Sequence, residues 1–160
     1  MAVLERSVVL GVPIADLFAF HRDARNAAKV SPPGGEVVEV VGEVPLRRGS
    51  EIRMAIRQRP LPFVQRWHLR IADVVEPTLV VDEAISTPIF SRWIHEHRLE
   101  AVDDRHTRLT DRVTYALPAR RLGRLADFLV GRRQLERFFD ARHARFRELF
   151  PVVAGAPSPG

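Results

Sequence analysis

Between Glu36 and Leu117 apolar residues recur at every second position in a succession of short runs, and from Pro118 onward they recur at every third or fourth. The first period belongs to strands with one buried face and the second to an amphipathic helix. This switch constrains the fold more than any other feature of the chain. Consecutive strands with short connections give an antiparallel meander, and a long antiparallel sheet with one apolar face needs a cover. The terminal helix is the one element large enough to supply it, so the sheet must curl around that helix.

The runs can be taken one at a time. Glu36 to Val41 closes at Gly42, and after Gly49 the residues Ile52, Met54 and Ile56 alternate with Glu51, Arg53 and Arg57. Pro60, Leu61 and Pro62 make a turn. Phe63, Gln65, Trp67, Leu69 and Ile71 then share one face against Arg66, His68 and Arg70, until Pro77 ends the run. Leu79 to Ile85 is a further strand, broken by Pro88. In the next run, Phe90 to Leu99, Trp93, His95, His97 and Leu99 fall on one face and Arg92, Glu96 and Arg98 on the other. Asp103, Asp104, Arg105 and His106 read as a hairpin loop, followed by an inward set of Leu109, Asp111, Val113, Tyr115 and Leu117. A tight hairpin sets Leu99 opposite Leu109, His97 opposite Asp111, His95 opposite Val113 and Trp93 opposite Tyr115.

Ahead of these runs, Val3 to Leu10 is a first strand, Pro13 opens a short helix holding Ile14, Leu17 and Phe18, and Asp23 caps a second short helix that reaches Val30. Ser31, Pro32, Pro33, Gly34 and Gly35 stop it. The terminal helix runs through Leu122, Leu125, Leu129, Phe138, Phe139, Phe146 and Leu149 to Pro151. Its apolar stripes before and after Gly131 are rotated by roughly a third of a turn, which predicts a kink or bend at that glycine. The expected architecture is α+β: a curved antiparallel sheet wrapped around a long C-terminal helix, with two short helices after the first strand. Such a grip commonly leaves a void where a ligand can sit. Residues 1–150 are expected to form one domain and 151–160 a disordered tail.

Composition narrows the function. The chain has no cysteine, which removes disulfides, thiolate catalysis and Cys-ligated metal centres. No apolar run approaches the roughly 20 residues of a spanning helix, and no signal-peptide pattern follows Met1, so membrane insertion is not expected and the reading is cytoplasmic. The net charge is +5, but Lys29 is the only lysine, and on the strands the arginines alternate outward with acids between them. That distribution argues against a specific nucleic-acid partner. Arg120, Arg121, Arg124, Arg132, Arg133, Arg137 and Arg145 give the terminal helix a basic face, which keeps binding to an anionic surface as a further reading. No Gly-rich phosphate loop, serine nucleophile elbow or paired-carboxylate motif is present.

One set of short strings adds a family. Phe18, Phe20, His21 and Asn26, then Ser31-Pro32-Pro33, Gly49-Ser50, Val81-Asp82-Glu83, and Pro88, Phe90, Trp93, His95 and His97 stand in order, followed by Thr110 to Val113, Tyr115, Leu117 and Pro118. In order and spacing these resemble the START-like superfamily, also called SRPBCC or helix-grip, and within it a bacterial ligand-binding branch related to polyketide cyclase/dehydratase-like proteins. The sequence departs from that pattern at Thr87, where Gly is expected, and at Leu99, where Phe is expected. The resemblance implies the helix-grip fold and a hydrophobic ligand cavity, and it supplies no catalytic motif.

Candidate site residues follow from the two-residue period. Trp67, Trp93, His95, His97, Asp111, Tyr115, Met54 and Leu69 are the expected ligand-binding set, with Ile56 and Phe138 as further apolar lining. A carboxylate beside an imidazole raises its pKa and orients the ring, so His97 and Asp111 are the candidate catalytic pair. The same pairing is also how a buried polar group is simply satisfied. His95 and His97 can face one metal ion, with Asp111 or Glu83 as a third donor, but nothing else has ligand spacing and no metal or cofactor is assigned. Whether Asp82 or Glu83 faces inward is not settled by the pattern. The expected function is binding of a small hydrophobic or aromatic molecule, lipid or polyketide-like, between sheet and helix. The alternative is a cyclase or dehydratase-type enzyme in which His97 and Asp111 transfer a proton. A homodimer is left open.

Overall fold

A computed structural model describes residues 1–59, 62–118 and 125–153, with 125–130 described by backbone alone. Its elements are β1 (Ala2–Leu10), α1 (Ile14–His21), a 3-10 helix (Ala24–Val30), β2 (Gly35–Gly42), β3 (Glu51–Gln58), β4 (Val64–Val75), β5 (Leu79–Ser86), β6 (Arg92–Ala101), β7 (Thr107–Ala116) and α2 (Leu125–Leu149). The seven strands form one antiparallel sheet in the order β1-β7-β6-β5-β4-β3-β2. The sheet curls into a half-barrel with α2 against it, the expected helix-grip arrangement. Register shifts lie at Val37/Glu39 in β2 and at His68/Leu69 and Ile71/Asp73 between β4 and β5. Such irregularities increase local twist and bend a strand, which is what the curl requires.

The concave face carries the core. Phe139 and Phe146 of α2, at 1% and 0% exposure, enter it among Leu4 and Val8 of β1, Leu109 and Val113 of β7, and Leu17 of α1. Edge strand β1 is held to α2 by Arg6, which pairs with Asp140 at 2.9 Å and Glu136 at 3.5 Å. The end of α2 closes on the end of β1 where the Gly11 N–H donates to the Phe150 carbonyl at 3.0 Å. A Cβ at Gly11 would stand 2.1 Å from the Pro151 carbonyl oxygen, so only glycine allows that approach. At the start of the 3-10 helix the Asp23 carboxylate accepts from the Arg25 N–H, as expected of its cap.

Every cross-strand pair expected of β6 and β7 is observed: Trp93 with Tyr115, His95 with Val113, His97 with Asp111 and Leu99 with Leu109. Two details differ. Phe63 precedes β4 and is 54% exposed, because the strand pleat that would aim it inward begins only at Val64. Leu117 lies one residue past the end of β7. Helix α2 is continuous through Gly131. Leu99, one of the two departures from the family pattern, is core at 4% exposure. The hydroxyl of Thr87, the other, accepts from the Ile89 and Phe90 N–H groups in the turn before β6. The turn at Pro60 and Leu61, the helical positions Arg120, Arg121, Leu122 and Arg124, and the tail from 154 lie outside the described residues.

Candidate functional site

The sheet has more concave surface than α2 fills, and a cavity of about 890 Å³ lies between them. Strand alternation decides what lines it. Toward one end, the wall is aromatic: Trp67 of β4, Trp93 of β6 and Tyr115 of β7, with Phe90 from the turn before β6. The rings meet edge-on or tilted, at 5.2 Å for Trp67 and Trp93, 4.9 Å for Phe90 and Trp93, and 5.7 Å for Phe90 and Tyr115, arrangements that aromatic quadrupoles favour. Gln65, buried at 1%, accepts from the Trp67 indole N–H at 3.4 Å and donates to Gln58 at 2.9 Å. Met54, Ile56, Leu69 and Phe138 complete this part of the wall. Gly131 also lines the cavity, and a Cβ built there meets nothing within 4 Å among the described residues beyond its own helix backbone.

Further along β6 the wall turns polar around one carboxylate. Asp111, 1% exposed, accepts on Oδ1 from His95 Nε2 at 3.0 Å and from His97 Nδ1 at 2.9 Å. Its Oδ2 accepts from His143 Nε2 of α2 at 2.7 Å. A carboxylate can only accept, so each of these ring nitrogens carries a proton. The free edges of His95 and His97 face a second carboxylate: Asp82 Oδ2 of β5 is 3.3 Å from His97 Nε2 and 3.7 Å from His95 Nδ1. On the convex side, Glu83 pairs with Arg70 instead, so Asp82 is the inward member of that pair. His21 of α1 leans on His97 with ring centroids 4.8 Å apart and stacks on Phe146 at 5.5 Å. Its Nδ1 donates to the Leu17 carbonyl at 2.8 Å, and its Nε2 is buried without a partner.

Burial and charge set the protonation states. For Asp111 burial opposes ionisation, but the bonds from His143, His95 and His97 outweigh it and hold its pKa well below the usual carboxylate range. Asp82 is likewise pushed up by burial and drawn down further by His97 and the charge on His95. Burial also works against a charged His97, yet its contacts with Asp111 and Asp82 raise it to about 8. His95 is lowered by burial and by the charge on His97, and His21 is lowered to about 3 for the same two reasons. Arg142 of α2 lies over the Phe146 ring at 5.4 Å, lines the cavity, and has no hydrogen bond or ion pair among the described residues, its buried Nε included. Burial lowers its pKa, against the pull of Asp111 and Asp82.

Of the eight sequence-derived ligand-binding residues, Trp67, Trp93, His95, His97, Tyr115, Met54 and Leu69 stand on the cavity wall. Asp111 does not; the two imidazoles it holds stand in front of it. The pairing of His97 with Asp111 is present, but the cluster is larger than a pair. Neither Asp111 nor Glu83 is placed as the third donor beside the free edges of His95 and His97, because Asp111 binds their opposite nitrogens and Glu83 faces out. Asp82 takes that place. His21, Arg142 and His143 were not among the expected site residues. A signal for His143 existed: it falls four residues after Phe139 and three before Phe146, within the apolar stripe, where a polar side chain needs a buried partner.

Neither a protein-family model nor a curated protein matches the sequence. Solved structures do match. A START superfamily protein from Mycobacterium smegmatis is 13% identical over 92% of this chain and 98% of its own, with a TM-score of 0.66. The Zhui aromatase/cyclase from Streptomyces sp. R1128 is 15% identical over 94% of this chain and 96% of its own, at 0.62. The di-domain ARO/CYC StfQ from the steffimycin biosynthetic pathway is 15% identical over 92% of this chain and 48% of its own, at 0.71. At these identities the shared property is the fold, which is START-like and related to that of the polyketide cyclases.

Proposed function

We propose that this START-like, helix-grip protein binds a single small hydrophobic or aromatic molecule, lipid or polyketide-like, between its sheet and α2. The observation that carries the reading is the cavity of about 890 Å³, walled by aromatic and aliphatic side chains at one end and by ionisable ones at the other. That volume lies within the range of small-molecule sites, as does the pattern of an apolar wall with a few convergent polar groups. The aromatic wall supplies area and the polar end supplies orientation, with His97 and Arg142 as anchors for an oxygen on the ligand. Among the described residues no helix is long and apolar enough to cross a membrane.

The test uses the two tryptophans, which are the only ones in the chain and both stand on the cavity wall. N-phenyl-1-naphthylamine, an uncharged aromatic probe, accepts energy from tryptophan at short range. Titrated into the protein, it is expected to show saturable transfer at one equivalent. Transfer that rises without saturating overturns the proposal.

A second reading rests on His97. Its ring lines the cavity, its Nδ1 is held by Asp111, its Nε2 stands 3.3 Å from Asp82, and its pKa is raised to about 8, a value suited to moving a proton near neutral pH. In an enzyme of the cyclase or dehydratase type, His97→Ala loses turnover and keeps most binding; in a carrier it alters affinity alone.

A further inference from the structure

We propose that Asp82, His95 and His97 are the protein ligands of a divalent transition-metal ion. Their donor atoms lie within 4.8 Å of one another. Metal bonds of about 2.1 Å at tetrahedral angles put donors about 3.4 Å apart. Asp82 Oδ2 stands 3.3 Å from His97 Nε2 and 3.7 Å from His95 Nδ1, close to that spacing.

The partner of those imidazoles argues the same way. Metal-bound histidines generally donate their second ring N–H to a carboxylate, which fixes the tautomer and the ring orientation. Here one carboxylate does this for both: Asp111 Oδ1 accepts from His95 Nε2 and His97 Nδ1, leaving His95 Nδ1 and His97 Nε2 aimed together at Asp82. His143 braces Asp111 from α2. All three ligands line the cavity, so further coordination positions open onto it, as in metal sites that also take an exogenous ligand. Two imidazoles and one carboxylate without any thiolate select the zinc and iron(II) class rather than magnesium or calcium, which prefer all-oxygen sites. Charge allows it: with both ring ligands neutral, a divalent ion balances Asp82 and Asp111, and Arg142 remains to meet an anionic oxygen on the open side.

This inference does not rest on the hydrophobic-ligand reading, and it competes with proton transfer by His97, whose Nε2 cannot hold both an ion and a proton. The experiment is titration of the untagged, chelator-stripped full chain with Co²⁺ and with Zn²⁺. One equivalent is expected to bind, with visible Co²⁺ ligand-field absorption and quenching of tryptophan emission in step, since the Trp93 ring lies 6.1 Å from that of His95. Asp82→Asn and His95→Gln are expected to weaken binding at least about 100-fold, and Asp111→Asn about 10- to 100-fold. His68→Gln, at the exposed His68 and Glu51 pair, leaves it unchanged. The proposal is overturned if folded wild-type protein retains less than about a tenth of an equivalent. It is also overturned if folded Asp82→Asn binds as wild type does, or if His68→Gln abolishes binding. Should Asp82→Asn fail to fold, the wild-type emission decides: Co²⁺ that binds without quenching tryptophan lies elsewhere and sinks the assignment.

Discussion

The two ends of the cavity are built on different physics. At the aromatic end, Trp67, Trp93, Phe90 and Tyr115 contribute area and shape; Trp67, Trp93 and Phe90 touch one another and Tyr115 rests on Phe90, so the loss of one is shared among neighbours. At the polar end, three imidazoles converge on the two oxygens of Asp111, and each bond is directional with no substitute. Apolar packing degrades gradually, whereas a buried charge that loses its counter-charge costs its full desolvation. One end is therefore suited to accommodating different apolar shapes and the other to holding a fixed arrangement of atoms.

The sharpest way to break this contrast is Asp111→Ala. It strands a charged His97 and two oriented rings, and is expected to cost about 3–5 kcal/mol in chemical denaturation, or roughly 10 °C in Tm for a chain of this size. A loss below about 1 kcal/mol would mean the cluster is not an electrostatic unit. Next in size is a pH effect on chelator-treated protein. His97 faces Asp82 of β5, Asp111 of β7, His95 on its own strand and His21 of α1, with the charge of Arg142 of α2 acting on Asp82. Because its pKa is raised from 6.5 to about 8, its contribution is fully present below pH 6.5 and is lost as pH rises through about 8. The size is about 2 kcal/mol. His21 moves the other way, lowered to about 3, so its contribution holds above pH 6.5 and is lost as pH falls from there toward 3, below a series that starts at pH 7. Unfolding free energies measured at pH 7, 8 and 9 should fall for wild type and lose that slope in His97→Gln.

At the aromatic end the expected effects are smaller. Met54→Ala removes a half-buried side chain that already borders empty space, and should cost about 1–2 kcal/mol, below the range of about 2–5 for a filled core. Equal losses for Met54→Ala and Asp111→Ala would erase the contrast. Gly131→Ala adds a methyl group where, its own helix backbone aside, nothing among the described residues lies within 4 Å, and improves helix propensity. It is expected to stabilise the protein by about 0.5–1 kcal/mol, and thermal unfolding would show it.

The register of β6 and β7 was legible in the sequence because a short hairpin leaves little freedom: once the loop at Asp103 to His106 is read, His97 must face Asp111. The seven strands and the terminal helix were legible for the same reason, since each follows from a local period. What could not be read was which helical residue reaches the sheet. The helical period identifies an apolar stripe on α2, but neither its rotation nor its axial position over the strands, so the bond from His143 to Asp111 was out of reach across 32 residues of chain. Asp82 and Glu83 were ambiguous because Leu79, Val80 and Val81 ahead of them are all apolar, so no polar-apolar alternation marks which face of β5 is inward. The pattern put Asp111 on the correct face but could not reveal that two imidazoles would cover it.

The claim that the space between sheet and α2 takes an apolar molecule is tested most directly by closing it. Gly131→Phe sends a ring into the cavity from a position whose Cβ, its own helix backbone aside, meets no atom of the described residues within 4 Å. The variant is expected to keep the wild-type Tm and to lose saturable energy transfer from Trp67 and Trp93 to N-phenyl-1-naphthylamine. A folded Gly131→Phe protein that binds the probe as wild type does would contradict the account.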